Sequence, residues 1–111
     1  MGRAIARRLL ESGFKLTAYD RDHAKAEALI PYGGTVANSV AELSRSCNVV
    51  ISCLATDEAV LTVYRGAEGV VANVGPGSMI IDLSTVYPET SQELSALGAE
   101  RGVDMLDVTI S

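Results

Sequence analysis

Two residues near the start of the chain are of types that could hold a phosphorylated ligand. Gly2 opens a segment with apolar residues at Ile5, Leu9 and Leu10 among arginines, the spacing of an amphipathic helix. Asp20 follows 18 residues later, at the end of the strand-like run Lys15-Leu16-Thr17-Ala18-Tyr19. A glycine at a helix start lets backbone amides approach an anion closely. An acid at the end of the next strand can accept the hydroxyls of a ribose. A last glycine and an acid about 20 residues on are the second half of a dinucleotide-binding fingerprint. The pair alone is not specific, because a glycine and an aspartate at this distance recur by chance.

Other residues of chemical interest have plainer readings. Asp82 and Asp107 close strand-like runs, where a carboxylate often only caps the following turn. Ser84-Thr85 sits just past a strand end. His23, the single histidine, lies in a polar helix start and reads as a surface residue. Asp57-Glu58 suits the first turn of a helix, where negative charge is favoured. Cys47 and Cys53 fit neither a CxxC pair nor a zinc clip, so no metal site is expected. Cys53 lies in an apolar run and reads as a buried thiol, and both cysteines read as structural. Free thiols suit a reducing compartment, which makes the cytoplasm the expected location.

The elements that must position these residues alternate. A helix from Gly2 to Ser12 is stopped by Gly13. A strand ends at Asp20, and Asp22 caps a helix through Ala24 to Ile30, broken by Pro31 and Gly33-Gly34. A very short strand, Thr35-Val36-Ala37, precedes a helix capped by Ser39. The run Val49-Val50-Ile51-Ser52-Cys53-Leu54 is apolar enough to predict a strand buried on both faces. Thr56 or Asp57 caps the next helix, to about Tyr64. The stretch 66–74 reads as a helical turn plus a loop. A buried strand follows at Met79-Ile80-Ile81-Asp82-Leu83. Pro88 suits the first position of a helix ending at Arg101-Gly102. Val103 to Val108 is the last strand. Strands alternating with helices through short links predict an α/β domain: a mostly parallel, doubly wound sheet with helices on both faces.

The bulk numbers agree. The 111 residues leave room for one domain, and 48% hydrophobic with 21% charged residues is a globular composition. No apolar run reaches the roughly 18 residues of a membrane span. A net charge of −5 argues against a nucleic-acid surface.

Several segments, taken in order, resemble the β-hydroxyacid dehydrogenases, which include 3-hydroxyisobutyrate dehydrogenase and, more distantly, 6-phosphogluconate dehydrogenase. Met1-Gly2 with Ala6, Leu9-Leu10 and Gly13-Phe14 is similar to the second half of G-x-G-x-M-G-x-x-x-A-x-x-L-x-x-x-G. Tyr19-Asp20-Arg21-Asp22 resembles the end of that family's second strand. Gly33-Gly34 with Ser39 and Ala41-Glu42 resembles its "GA…S…E" stretch. Ser46 to Leu54 resembles "CDVVIxMLP", Asp82 to Thr90 "DxSTxxPxT", and Asp104 to Ser111 "xxLDAPVSG". Each piece is unspecific, but their order and spacing over essentially the whole chain are not.

The resemblance implies a Rossmann-type cofactor domain over residues 1–111 that lacks its first strand, with the helical substrate domain lying outside the chain. It implies NAD or NADP as cofactor and a small hydroxy acid or its semialdehyde as substrate. A homo-oligomer of the full-length protein is implied, with no nucleic-acid or membrane partner. Met1 and Gly2 would face the pyrophosphate, and Asp20 would bind the adenosine ribose. Arg21 would lie on the adenine or meet a 2′-phosphate. Leu54 and Ala55 would lie against a ribose, Thr85 near the nicotinamide, and Ser111 on the substrate carboxylate. The family's general acid/base is a lysine past Ser111. Lys15 and Lys25, the only lysines here, do not match its motif, so no catalytic residue is expected in the chain. Ala55 stands where the family has proline. A carboxylate at 20 repels the extra phosphate of NADP while a guanidinium at 21 attracts it, and the balance leans to NAD. A catalytically silent remnant and the cofactor domain of a related imine or semialdehyde reductase remain open. In a sheet of order 3-2-1-4-5-6 the first strand is central. Without it, strands 2 and 3 should separate from strands 4, 5 and 6, and the isolated chain should be unstable or borrow a strand.

Overall fold

The computed structural model describes residues 2–84 and 86–107, the last by its backbone alone. The element order is α1 (Gly2–Glu11), β1 (Thr17–Ala18), α2 (His23–Glu27), a 3₁₀ turn (Ile30–Tyr32), β2 (Thr35–Val36), α3 (Val40–Ser46), β3 (Val49–Ser52), α4 (Asp57–Tyr64), α5 (Val70–Asn73), β4 (Met79–Asp82), α6 (Pro88–Glu100) and β5 (Asp104–Asp107). The expected alternation is present. Asp22, Ser39 and Thr56 cap α2, α3 and α4 by accepting the amides of Ala24, Glu42 and Ala59. Pro88 lies in the first turn of α6. The second helix is shorter than expected. It stops at Glu27, and Pro31 sits inside the following 3₁₀ turn, which Gly33 ends with a φ of 97° that disfavours side chains.

All strand pairs are parallel, and they form two sheets. β1 pairs with β2, and β3-β4-β5 form a three-stranded sheet. Among the described residues no ladder joins β1 to β3. The split falls where the resemblance places the missing first strand.

The core lies on one face of the three-stranded sheet. Successive side chains of a strand point to opposite faces. Val50 and Ile80 turn inward with Ser52 and Asp82 beside them in register. Val60 and Tyr64 of α4, Val70 and Val71 of α5, Val74, Leu94 of α6 and Val103 complete this core.

The opposite face corrects two expectations. Val49 and Ile51 are 50% and 41% exposed, and Met79 is exposed as well, so these strands are not buried on both faces. Cys53, on the same side, is exposed, so it is not a buried thiol, while Cys47 is half-buried. The physical reason is that the described residues do not fully cover that face. The apolar residues of α1 are at most half-buried, and no residue of that helix is buried. Apolar patterning qualifies a strand for burial on two faces but does not supply the second cover.

The uncovered face is testable through its thiol. In the folded 111-residue chain, Cys53 should react with an aromatic disulfide reagent at close to the rate of a small free thiol, and Cys47 more slowly. Loss of the fast phase in Cys53→Ser checks the assignment. A Cys53 that reacts only on unfolding would mean the face is covered.

Candidate functional site

In open parallel α/β sheets ligands gather at the carboxyl ends of strands. Of the sequence candidates, Gly2, Asp20, Arg21, Leu54 and Ala55 fall at or beside such ends. Gly2, at the exposed start of α1, approaches the segment after β3: a Cβ placed on it would lie 3.6 Å from that of Cys53. Gly2 therefore stands beside the loop that carries Leu54 and Ala55. Leu54 is half-buried, and its backbone N–H donates to Ser84 Oγ at 2.7 Å. Ala55 is exposed. Asp20, half-buried, follows β1 and accepts the Asp22 amide on one carboxylate oxygen at 2.9 Å. Arg21 is exposed and makes no ion pair among the described residues. The structure thus brings Gly2 and the Leu54–Ala55 loop together, while Asp20 and Arg21 belong to the other sheet. Met1, Thr85 and Ser111 lie outside the described residues.

A buried polar chain, which sequence reasoning missed, organises the loops after β3 and β4. Asp82 is only 2% exposed. Ser52 Oγ donates to Asp82 Oδ1 at 2.8 Å, and the same oxygen accepts the Ser84 amide at 3.1 Å. Tyr64 is hydrogen-bonded to Ser52 through its hydroxyl. A serine hydroxyl has one hydrogen, which goes to Asp82, so Tyr64 is the donor to Ser52. Burial holds the Tyr64 hydroxyl far above its ordinary pKa, with the Asp82 charge pushing the same way and the Ser52 bond opposing. The donor is therefore always in place near neutrality. Asp82 was read as a turn cap, and it does cap Ser84. Its second bond needs the strand register, which places Ser52 beside it. The available signal was a polar residue at the inward position of both apolar strands.

Asp57 does something similar one turn later. Thr56, not Asp57, caps α4. Asp57 Oδ2 instead accepts the Tyr87 amide at 2.9 Å and the Thr90 hydroxyl at 2.7 Å, so it caps the start of α6. These two bonds, the amide first, hold its carboxyl below the ordinary value of 3.8.

Residues 1–111 match the family model described as the NAD binding domain of 6-phosphogluconate dehydrogenase. The chain belongs to that family. It is 31% identical over 111 residues to the NAD-dependent L-serine dehydrogenase of Pseudomonas aeruginosa, covering 100% of this chain and 37% of the relative. A solved structure of Psf3 in complex with NADP+ and 2-OPP superposes with a TM-score of 0.95 at 37% identity, over 100% of this chain and 39% of that one. The 3-hydroxyisobutyrate dehydrogenase of Mycobacterium tuberculosis, solved with L-serine, gives 0.91 at 28%, over 100% and 37%. The chain therefore spans less than two fifths of the length of these proteins. Among the described residues no three His, Cys, Asp or Glu side chains are grouped so as to hold a metal ion, and no helix is long and apolar enough to cross a membrane.

The Asp57 cap carries a pH signature. A carboxyl with a depressed folded pKa stabilises the fold above its unfolded value and loses that contribution as pH falls through the folded one. The melting temperature of the chain should exceed that of Asp57→Ala at neutral pH. The difference should begin to shrink near pH 4 and vanish below it. A difference that is constant down to pH 3 would remove Asp57 from this role.

Proposed function

We propose that this chain is the cofactor-binding part of an oxidoreductase, with the dinucleotide lying across the carboxyl ends of β1, β3 and β4. The observation that carries the reading is the match of all 111 residues to an NAD-binding family; Asp20 just after β1 and Leu54 and Ala55 just after β3 support it. The residues fit such a ligand. Gly2 offers an exposed, side-chain-free helix start beside the Leu54–Ala55 loop. One oxygen of Asp20 is fixed by the Asp22 amide, which orients the carboxylate to accept ribose hydroxyls. Met1 would add to the pyrophosphate contact, Thr85 would reach the nicotinamide end, and Ser111 the substrate.

When bound, the nicotinamide supplies the hydride chemistry. This chain's residues bind and orient. Gly2 and Met1 take the phosphates, Asp20 the adenosine ribose, and the Leu54 and Ala55 loop a ribose face. The whole protein is proposed to interconvert a small 3-hydroxy acid and its semialdehyde. The serine and 3-hydroxyisobutyrate dehydrogenases among its relatives support that substrate class. Residues 1–111 then form one cofactor domain, the acid/base and the closing helical domain come from elsewhere in the protein, and the assembly is a cytoplasmic homo-oligomer.

The cofactor choice rests on Asp20 against Arg21. Asp20 is held in place while Arg21 extends into solvent, so its repulsion of a 2′-phosphate dominates. Titration of nucleotide fluorescence should give tighter binding of NADH than of NADPH. Asp20→Ala should move the ratio toward NADPH by roughly tenfold, the equivalent of about 1.4 kcal/mol. Saturable binding of neither nucleotide by the folded protein would reject the cofactor reading.

A further inference from the structure

The β3–β4 ladder pairs residues that are thirty apart: Val49 with Met79, Val50 with Ile80, Ile51 with Ile81 and Ser52 with Asp82. At the last rung of the ladder Ser52 Oγ also donates to Asp82. The same offset continues beyond the strands, where Leu54 N–H donates to Ser84 Oγ and Tyr87 N–H to Asp57. The Leu83 amide also reaches back to the Ser52 carbonyl at 2.8 Å. Side chains thus take over from the backbone and carry the strand register into two loops and onto the starts of α4 and α6. One end of this lacing, at Asp82 and Ser84, is buried. The other, at Asp57, is a carboxylate with two donors. Such charge-assisted bonds are stronger and more directional than neutral ones.

We propose that Asp57 and Asp82 are positioning residues that lace the loop after β3 to the loop after β4, so that the two loops form one unit that presents Leu54 and Ala55 to the dinucleotide. The placement of the ligand rests on the function proposed above, but the lacing itself does not. An isolated loop opens locally, whereas elements sharing bonds open together. Asp57 touches neither Leu54 nor Ala55 through any of these bonds. It acts on them through the segment between β4 and α6: Asp57 holds Tyr87 and Thr90 at one end of it, and Ser84 at the other end holds the Leu54 amide.

The test is hydrogen exchange by mass spectrometry on the full-length protein, with dinucleotide affinity measured alongside. Asp57→Ala should speed exchange about tenfold in peptides covering 84–90 and also in those covering 53–56, with β4 unchanged. Asp57→Asn keeps an accepting oxygen and should restore most of the protection in both. Thr90→Val leaves α4 intact, removes one of the two bonds, and should give a smaller effect of the same pattern. The affinity for NADH should fall with Asp57→Ala by up to tenfold and recover with Asp57→Asn. Faster exchange confined to 84–90 would overturn the lacing. Coupled exchange with unchanged affinity would overturn the positioning role. A wild-type protein that binds no dinucleotide would sink the proposed function, while the exchange data would still decide the lacing.

Discussion

Asp82 imposes the constraint on which the functional end of this domain depends. A carboxylate taken out of water costs several kcal/mol unless it is hydrogen-bonded. Here the compensation comes from the Ser52 hydroxyl on the adjacent strand and the Ser84 amide just past its own. Those bonds form only in one register, because slipping a strand by one residue sends every side chain to the other face. The buried acid therefore does more than fill an inward position. It fixes how β3 meets β4, and through Ser84 it fixes where the Leu54 amide lies. Tyr64 ties the same point to α4. Strand register, loop position and helix seating are set together at one buried point.

The rest of the molecule is built less tightly. The three-stranded sheet carries its helices and its core on one face, and leaves Val49, Ile51, Met79 and Leu106 exposed on the other. The two-stranded sheet carries Asp20, and no ladder ties it to the first among the described residues. The radius of gyration, 13.2 Å, is nevertheless that of a compact chain of this length. The two sheets thus share one body, and the pairing between them is what is lacking. A site that spans both must bring Asp20 and the Gly2–Leu54 corner to one ligand across that gap.

Much of this was legible in the sequence because local signals agreed with one another. Asp22, Ser39 and Thr56 announce helix starts, Gly102 ends the last helix, and the apolar runs at 49–54 and 79–83 announce strands. The separation into two sheets followed from the family resemblance, in which a further strand lies between the two groups. What was not legible depends on contacts distant in sequence. Asp82 looked like a turn cap because the turn is local and Ser52 is thirty residues away. Asp57 looked like part of its own helix start because Tyr87 and Thr90 belong to another helix. Val49, Ile51 and Cys53 were assigned to the interior because an apolar run does not reveal whether a second layer lies over it.

The proposed dinucleotide site joins the carboxyl ends of β1, β3 and β4. The most direct test is a nuclear magnetic resonance titration of the isotope-labelled chain with NADH, read residue by residue. Amide shifts should cluster at Gly2, Asp20, Arg21, Leu54, Ala55 and Ser84 and leave α3 and α5 unmoved. Shifts confined to α3 and α5, or to the uncovered face around Val49 and Met79, would contradict it.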